Sequence, residues 1–212
     1  MKAVILSNGN VENIEFLRSY IESSDIFICA DGGGNYAKSL GIKPDILIGD
    51  FDSIKEEILN YFQHLGTEII RYPREKNYVD TQLAVDRAIE LSADKIILLG
   101  ATGNRLDHTL ANINMLYYIY KKGVTAEIVD EHNRLMLLKG ENFLRGQMGD
   151  TVSFIPFFGD VKKIVLKGFY YPLDGVTLTK DTSLGISNVF TEDVGYVDSG
   201  DDFVLAIFSY GQ

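Results

Sequence analysis

Between Ala3 and Val129, short apolar runs alternate with stretches whose apolar residues recur at helical spacing. The runs are Ala3–Leu6, Ile26–Ala30, Asp45–Ile48, Glu68–Arg71, Lys95–Leu99 and Ala126–Val129. Between them, Ile14/Leu17/Tyr20/Ile21, Tyr36 to Leu40, Ile54/Ile58/Leu59/Phe62, Leu83/Ala84/Ala88/Leu91 and Leu106/Leu110/Ile113/Leu116/Tyr117 mark helices. Ser53 is expected to cap the third of these. Strands that are apolar throughout are buried on both faces, and the intervening helices cover a parallel sheet on both sides. The pattern predicts a Rossmann-like α/β domain over residues 1–132.

The texture changes near Asp130. Beyond it no helical period is found. Arg134–Leu138, Thr151–Ile155, Lys163–Leu166, Val189–Thr191, Gly195–Val197 and Phe203–Phe208 are short runs rich in β-branched and aromatic residues, broken by Gly, Asp and Pro. Such runs predict an all-β sandwich over residues 133–212. No Ser/Gly-rich or Pro-rich linker separates the halves, and no repeat is apparent.

Composition narrows the function. The chain has 212 residues, 46% of them hydrophobic, and a formal charge of −10. That charge disfavours nucleic acid and anionic membrane, which require a cationic footprint. It is compatible with a phosphate ligand that arrives with a divalent cation. No apolar run reaches membrane-spanning length, and the first residues are too soon polar for a signal peptide. Cys29 is the lone cysteine, so no internal disulfide forms. A cytoplasmic protein is expected.

In the first half each polar, Gly-rich cluster follows a predicted strand: Ser7-Asn8-Gly9, Asp31-Gly32-Gly33-Gly34, Gly49 to Ser53, Pro73 to Asp80, and Gly100 to His108. In a parallel sheet these loops share one edge, where ligands bind. Asp50 and Asp52 lie two residues apart after a strand, and in extended chain they face the same side. Carboxylates so placed suit a hard cation such as Mg2+; a plain Asp/Ser turn is the alternative. The glycines after Asp31 expose backbone N–H groups near a helix start, a place for an anion, or form a simple turn. Asp80 can cap a helix. Arg74 and Lys76 can be solvated. Arg105 and Asp107 can pair at a helix start, and His108 can be a helix-start residue with one hydrogen bond.

Taken together and in order, Ala30-Asp31-Gly32-Gly33, Gly49-Asp50-Phe51-Asp52-Ser53, Lys76 to Ala84, Gly103 to His108, Tyr171-Pro172-Leu173 and Gly185-Ile186-Ser187-Asn188 resemble the thiamin pyrophosphokinase family. The resemblance implies a nucleotide-binding α/β domain, a thiamin-binding β-sandwich and a homodimer. It implies transfer of pyrophosphate from ATP to the thiamin hydroxyl, with Mg2+. By matched position, Asp31, Asp50, Asp52 and Asp80 would surround the metal and phosphates. Lys76, Arg105, Asp107 and His108, with Asn8, Gly32 and Gly33, would line the nucleotide side. Asp50, Asp52, Asp80, Lys76 and Asp107 would carry the chemistry, with Asp80 or Asp107 as the proton acceptor. Ser187 and Asn188 would face thiamin, from the partner subunit. The family's K-D-x-T-D stretch here reads Lys76-Asn77-Tyr78-Val79-Asp80, so an acid and a hydroxyl are replaced at 77 and 79. Without Trp, an aromatic wall against thiamin must be Tyr or Phe.

Two other readings compete. Asp50-Phe51-Asp52 also resembles the D-x-D segment of haloacid-dehalogenase-type phosphatases, with Asp50 as nucleophile. A non-catalytic nucleotide- or thiamin-binding module is the third.

Overall fold

The structure is a computed structural model, and it describes residues 1–75 and 77–211. It divides into two compact units, Met1–Glu131 and His132–Gln212.

The first unit contains β1 (Lys2–Leu6), α1 (Ile14–Glu22), β2 (Ile26–Ala30), α2 (Gly33–Leu40), β3 (Ile46–Gly49), α3 (Glu56–His64), β4 (Glu68–Arg71), α4 (Asp80–Glu90), β5 (Lys95–Leu99), α5 (Leu106–Lys121) and β6 (Thr125–Val129). The strands pair in parallel in the order β6-β5-β1-β2-β3-β4. One face buries Val4, Leu6, Phe27, Cys29, Leu47 and Leu99 against Leu17, Ile21, Leu40, Leu59 and Phe62 of α1–α3. α4 and α5 cover the other face, α4 against β1–β3 and α5 against β6. Burial on both faces is why these strands lack alternation. The chain moves outward from β1 through β4, then returns to the other side of β1 as β5. This reversal between β1 and β5 is the topological switch point, where the loops after adjacent strands diverge and leave a crevice.

Two local expectations are corrected. Ser53 does not cap α3. That helix starts at Glu56 with Lys55 at its N-cap, and the Ser53 hydroxyl donates to Asp52 Oδ1 instead (2.9 Å). α2 starts at Gly33, three residues before Tyr36. Glycine is a poor helix former, but a Cβ at Gly33 would run into the Leu6 carbonyl, and one at Gly34 would lie 2.7 Å from Ile54 Cδ1. Close packing, not helix propensity, sets the residues of that first turn.

The second unit contains β7 (Asn133–Arg145), β8 (Thr151–Pro156), β9 (Val161–Lys167), β10 (Leu173–Leu178), β11 (Asn188–Val189) and β12 (Val194–Ser209). Gly195–Val197 and Phe203–Phe208 belong to this one strand, β12, which pairs with β7 on both sides of an irregularity between Asp198 and Phe203. Before the irregularity β12 pairs with β9, and β9 with β10. After it β12 pairs with β8, and β8 with β11. Two antiparallel layers therefore share bent strands. Between them lie Val152, Phe154, Leu166, Phe169, Phe190 and Phe208, with Phe169 and Phe190 in edge contact at 4.8 Å. This is the expected C-terminal sandwich.

Candidate active site

At the carboxyl ends of the parallel strands lies a cleft of about 720 Å³, lined from the loops after β1 to β5. Its two halves are laced together at the switch point. Gly9 N–H donates to the Gly100 carbonyl (2.7 Å) and Asn10 N–H to the Thr102 carbonyl (3.1 Å). A side chain at Gly9 would strike both carbonyls. Below, the Ser7 and Thr81 hydroxyls are hydrogen-bonded at 2.9 Å in a buried pair.

On the β2/β3 side, Asp31, Asp50 and Asp52 each bring a carboxylate oxygen within 4.8 Å of the others. Asp31 is 9% exposed, and its Oδ1 is buried without a hydrogen-bond partner. Its backbone is pinned on both sides, N–H to the Ile48 carbonyl (2.8 Å) and carbonyl from Gly34 N–H (3.0 Å), at φ 45°. The loop is not extended as the sequence suggested. Phe51 takes φ 64° and packs into the core, with the Arg71 guanidinium 4.9 Å from its ring centroid. This tight turn still gathers both acids, and Asp52 N–H donates to Asp50 Oδ1 (3.2 Å). Arg74 reaches Asp52 at 3.5 Å from an exposed position.

These residues fit a hard divalent cation. Oxygens around Mg2+ at roughly 2.1 Å stand about 3–4 Å apart, so a small inward adjustment of the three carboxylates suffices. The buried, unpartnered Asp31 Oδ1 is a ligand atom otherwise left with its desolvation penalty. Gly49 keeps the space open, since a Cβ there would stand 3.1 Å from Asp31 Cβ and 3.2 Å from Asp80 Oδ1. Asp80 is the first residue of α4 and lines the cleft, with Val79 at the N-cap. It lies beside Asp31 across Gly49, outside the three-carboxylate group. Lys76 lies outside the described residues.

Gly32 and Gly33 do not line the cleft. Their missing side chains let α2 approach β1, since a Cβ on Gly32 would meet the Asn8 carboxamide. Asn8 itself lines the cleft.

On the β5 side, Arg105 and His108 line the cleft and Asp107 does not. Arg105 holds Asp107 in a bidentate pair, Nη2 to Oδ2 at 2.5 Å and Nε to Oδ1 at 3.1 Å. The Arg105 hydrogen bonds bring the Asp107 pKa down to about 2, and the guanidinium pKa is raised in turn. Asp107 thus aims Arg105. Sequence reading overlooked two further residues of the first turns of α5, Thr109 and Asn112, both at the cleft wall. The available signal was spacing: Arg105, His108, Thr109 and Asn112 fall at i, i+3, i+4 and i+7, one helix face.

In the second unit Ser187 is exposed at φ 54°, with its N–H donating to Ser153 Oγ (3.0 Å). Asn188 is 1% exposed. Its Oδ1 accepts from Tyr171 N–H (2.9 Å) and Val189 N–H (3.0 Å), and its Nδ2 donates to the Tyr171 carbonyl (2.8 Å). The carboxamide extends the ladder in which Tyr170 N–H donates to the Val189 carbonyl. It fixes the exposed, edge-packed pair Tyr170 and Tyr171, 4.9 Å between centroids.

Comparison with known proteins agrees across both units. Residues 17–128 match "Thiamin pyrophosphokinase, catalytic domain", and residues 141–204 match "Thiamin pyrophosphokinase, vitamin B1 binding domain". Thiamine pyrophosphokinase of Bacillus subtilis (strain 168) is 34% identical over 191 residues, covering 89% of each chain. The crystal structure of thiamine pyrophosphokinase from Bacillus subtilis superposes with a TM-score of 0.90 at 29% identity, over all of both chains. That of Geobacillus thermodenitrificans gives 0.87 at 29% identity, over all of this chain and 99% of that one. The matches span the second half, which a D-x-D phosphatase leaves unexplained. This chain belongs to the thiamin pyrophosphokinase family.

Proposed function

We propose that the protein transfers the pyrophosphoryl group of ATP to the hydroxyl of thiamin, giving thiamin diphosphate and AMP. The observation that carries the reading is the Asp31/Asp50/Asp52 group in a cleft that Arg105 and His108 also line. Phosphoryl-type transfer depends on positioning and charge neutralisation more than on covalent help. Asp31, Asp50 and Asp52 would hold Mg2+, with Asp80 beside them, and the ion would supply positive charge to neutralise the phosphates. Arg105, fixed by Asp107, and Lys76 offset charge on the phosphates, and Asn8 and His108 bound the nucleotide. The thiamin oxygen attacks the β-phosphorus, and the bond from that phosphorus to the oxygen bridging the α-phosphorus breaks, so AMP departs with that oxygen. Asp80 takes the hydroxyl proton. It lines the cleft, whereas Asp107 is engaged by Arg105 and is too weak a base at a pKa of about 2.

The second unit receives thiamin through Ser187, with Asn188 behind it. Because the phosphate machinery and Ser187 belong to different units, we place each complete site in a homodimer, where the second unit of one chain serves its partner. A buried lone cysteine and a low pI of 4.7 suit a cytoplasmic setting. No helix is long and apolar enough to cross a membrane among the described residues. Incubation with ATP, Mg2+ and thiamin, followed by chromatography of all products, tests the reaction. Thiamin diphosphate and AMP in equal amounts are expected. Thiamin monophosphate and ADP would overturn it.

A further inference from the structure

Asn112 is 7% exposed, sits two turns into α5 and lines the cleft. Its Nδ2 donates to the Ala101 carbonyl at 2.7 Å. A carbonyl only accepts, so the amide orientation is decided: the –NH2 faces Ala101 and Oδ1 is the atom left over. Among the described residues no protein donor takes that oxygen. One turn earlier, Thr109 also lines the cleft, and its hydroxyl is buried without a partner. An acceptor on a fixed carboxamide and a free hydroxyl stand side by side on one helix face. A buried hydroxyl left unpaired, as at Thr109, calls for an explanation, and a ligand is one.

We propose that Asn112 and Thr109 read the base of the nucleotide, Oδ1 accepting from the exocyclic amine of adenine and the Thr109 hydroxyl donating to a neighbouring ring nitrogen. The inference rests on ATP as the co-substrate. The layout of the sheet selects the base over the ribose. The carboxylates stand at the ends of β2 and β3, and Asn112 beside the end of β5, two and three strands away. At roughly 4.8 Å per strand that is about 10–14 Å, the reach from the phosphates to a base rather than to the adjoining sugar. Arg105 and His108, at the start of α5, line the same cleft and are left for the phosphate and sugar part of the nucleotide.

The test is calorimetric titration, with Mg2+ and without thiamin, of ATP, purine riboside triphosphate (which lacks the 6-amino group) and 2′- and 3′-deoxy-ATP. The wild-type protein should bind ATP about tenfold more tightly than the purine riboside analogue, the usual consequence of leaving unpaired an acceptor that the bound base covers. In Asn112→Ala that preference should shrink to within twofold, while any preference over the deoxy analogues persists. Thr109→Val keeps the shape and breaks no protein hydrogen bond, so it should fold with an unchanged Tm and bind ATP three- to tenfold more weakly. It provides the reading if Asn112→Ala does not fold. Equal affinity of wild type for ATP and the purine analogue would overturn the proposal. So would loss of discrimination against the deoxy analogues alone in Asn112→Ala, or unaltered ATP binding in Thr109→Val. Because binding is read directly, these results stand apart from the pyrophosphokinase assay: a protein that binds ATP as described but makes no thiamin diphosphate fails only the reaction.

Discussion

Replacing Asp31 by Asn should stabilise the metal-free protein and disable it. Three carboxylate oxygens lie within 4.8 Å of one another. Like charges at that distance repel by about 1 kcal/mol per pair in water and about 2 kcal/mol if the local dielectric is halved. Asp52 is exposed, so its pair with Asp31 belongs at the lower end. Asp31→Asn removes two of the three repulsions, a gain of about 2–3 kcal/mol. The backbone objects little, because Asn accepts the φ of 45° that Asp31 adopts. At about 2–4 °C per kcal/mol for a chain of this size, the Tm in EDTA at low salt should rise by roughly 4–12 °C. Mg2+ should raise the wild-type Tm and leave that of the variant unmoved, and turnover should fall at least about a hundredfold, as expected on losing the cation that would neutralise phosphate. Differential scanning fluorimetry with and without Mg2+ reads all but the last. A lower Tm for the metal-free variant, or a retained Mg2+ shift, would refute the argument that these carboxylates are held close for a cation.

Gly49→Ala would press a methyl between Asp31 and Asp80 (3.1 and 3.2 Å); turnover should drop at least about tenfold, and the Mg2+ concentration for half-activity should rise, as measured by Mg2+ titration of the rate. Asn188→Ala leaves Tyr171 N–H and C=O without their partner; a loss of about 2–4 kcal/mol by urea unfolding and a raised KM for thiamin with ATP KM unchanged are expected. Asp107 should titrate near 2 by NMR; its folded pKa is depressed, so its contribution to stability is present above the usual carboxylate range and is lost as pH falls from about 4 through about 2. Asp107→Asn should accordingly raise the KM for ATP, by loosening Arg105, without moving the neutral-range limb of the kcat profile.

The first unit was legible because both signals it depends on are written locally: apolar runs for strands buried on two faces and a 3.6-residue period for helices. The misplaced start of α2 shows the limit. Gly33 and Gly34 look like loop residues because the reason for glycine there, the approach of Leu6 and Ile54, is tertiary. β10 escaped notice for a related reason. Asp174 to Thr177 are exposed, so Leu173–Leu178 has almost no buried face to leave a pattern. β12 was seen as two strands because Ser199 to Asp202, at its irregularity, read as a turn. In the site, Asp31, Asp50 and Asp52 stood out as clustered charge at strand ends. Asn112 and Thr109 did not, since polar residues in a helix ordinarily mark the solvated side, and only the Ala101 contact shows that this side is a wall of the cleft.

The acid group is shaped by the residues around it. Among the described residues five non-glycine positions have positive φ, and two of them, Asp31 and Phe51, belong to this corner. Each is an unfavourable local conformation that persists only where neighbours impose it. Here the neighbours are identifiable. Ile48 and Gly34 hold the Asp31 backbone from both sides, the core takes the Phe51 ring, and Asn35 Nδ2 donates to the Ser53 carbonyl (2.9 Å) to close the loop. Folding of the parallel sheet and α2 therefore supplies the free energy that brings mutually repelling carboxylates together. A cation held here as proposed would meet ligands already converged and would relieve a repulsion instead of organising a loop, so little of its binding free energy would be consumed in ordering the chain.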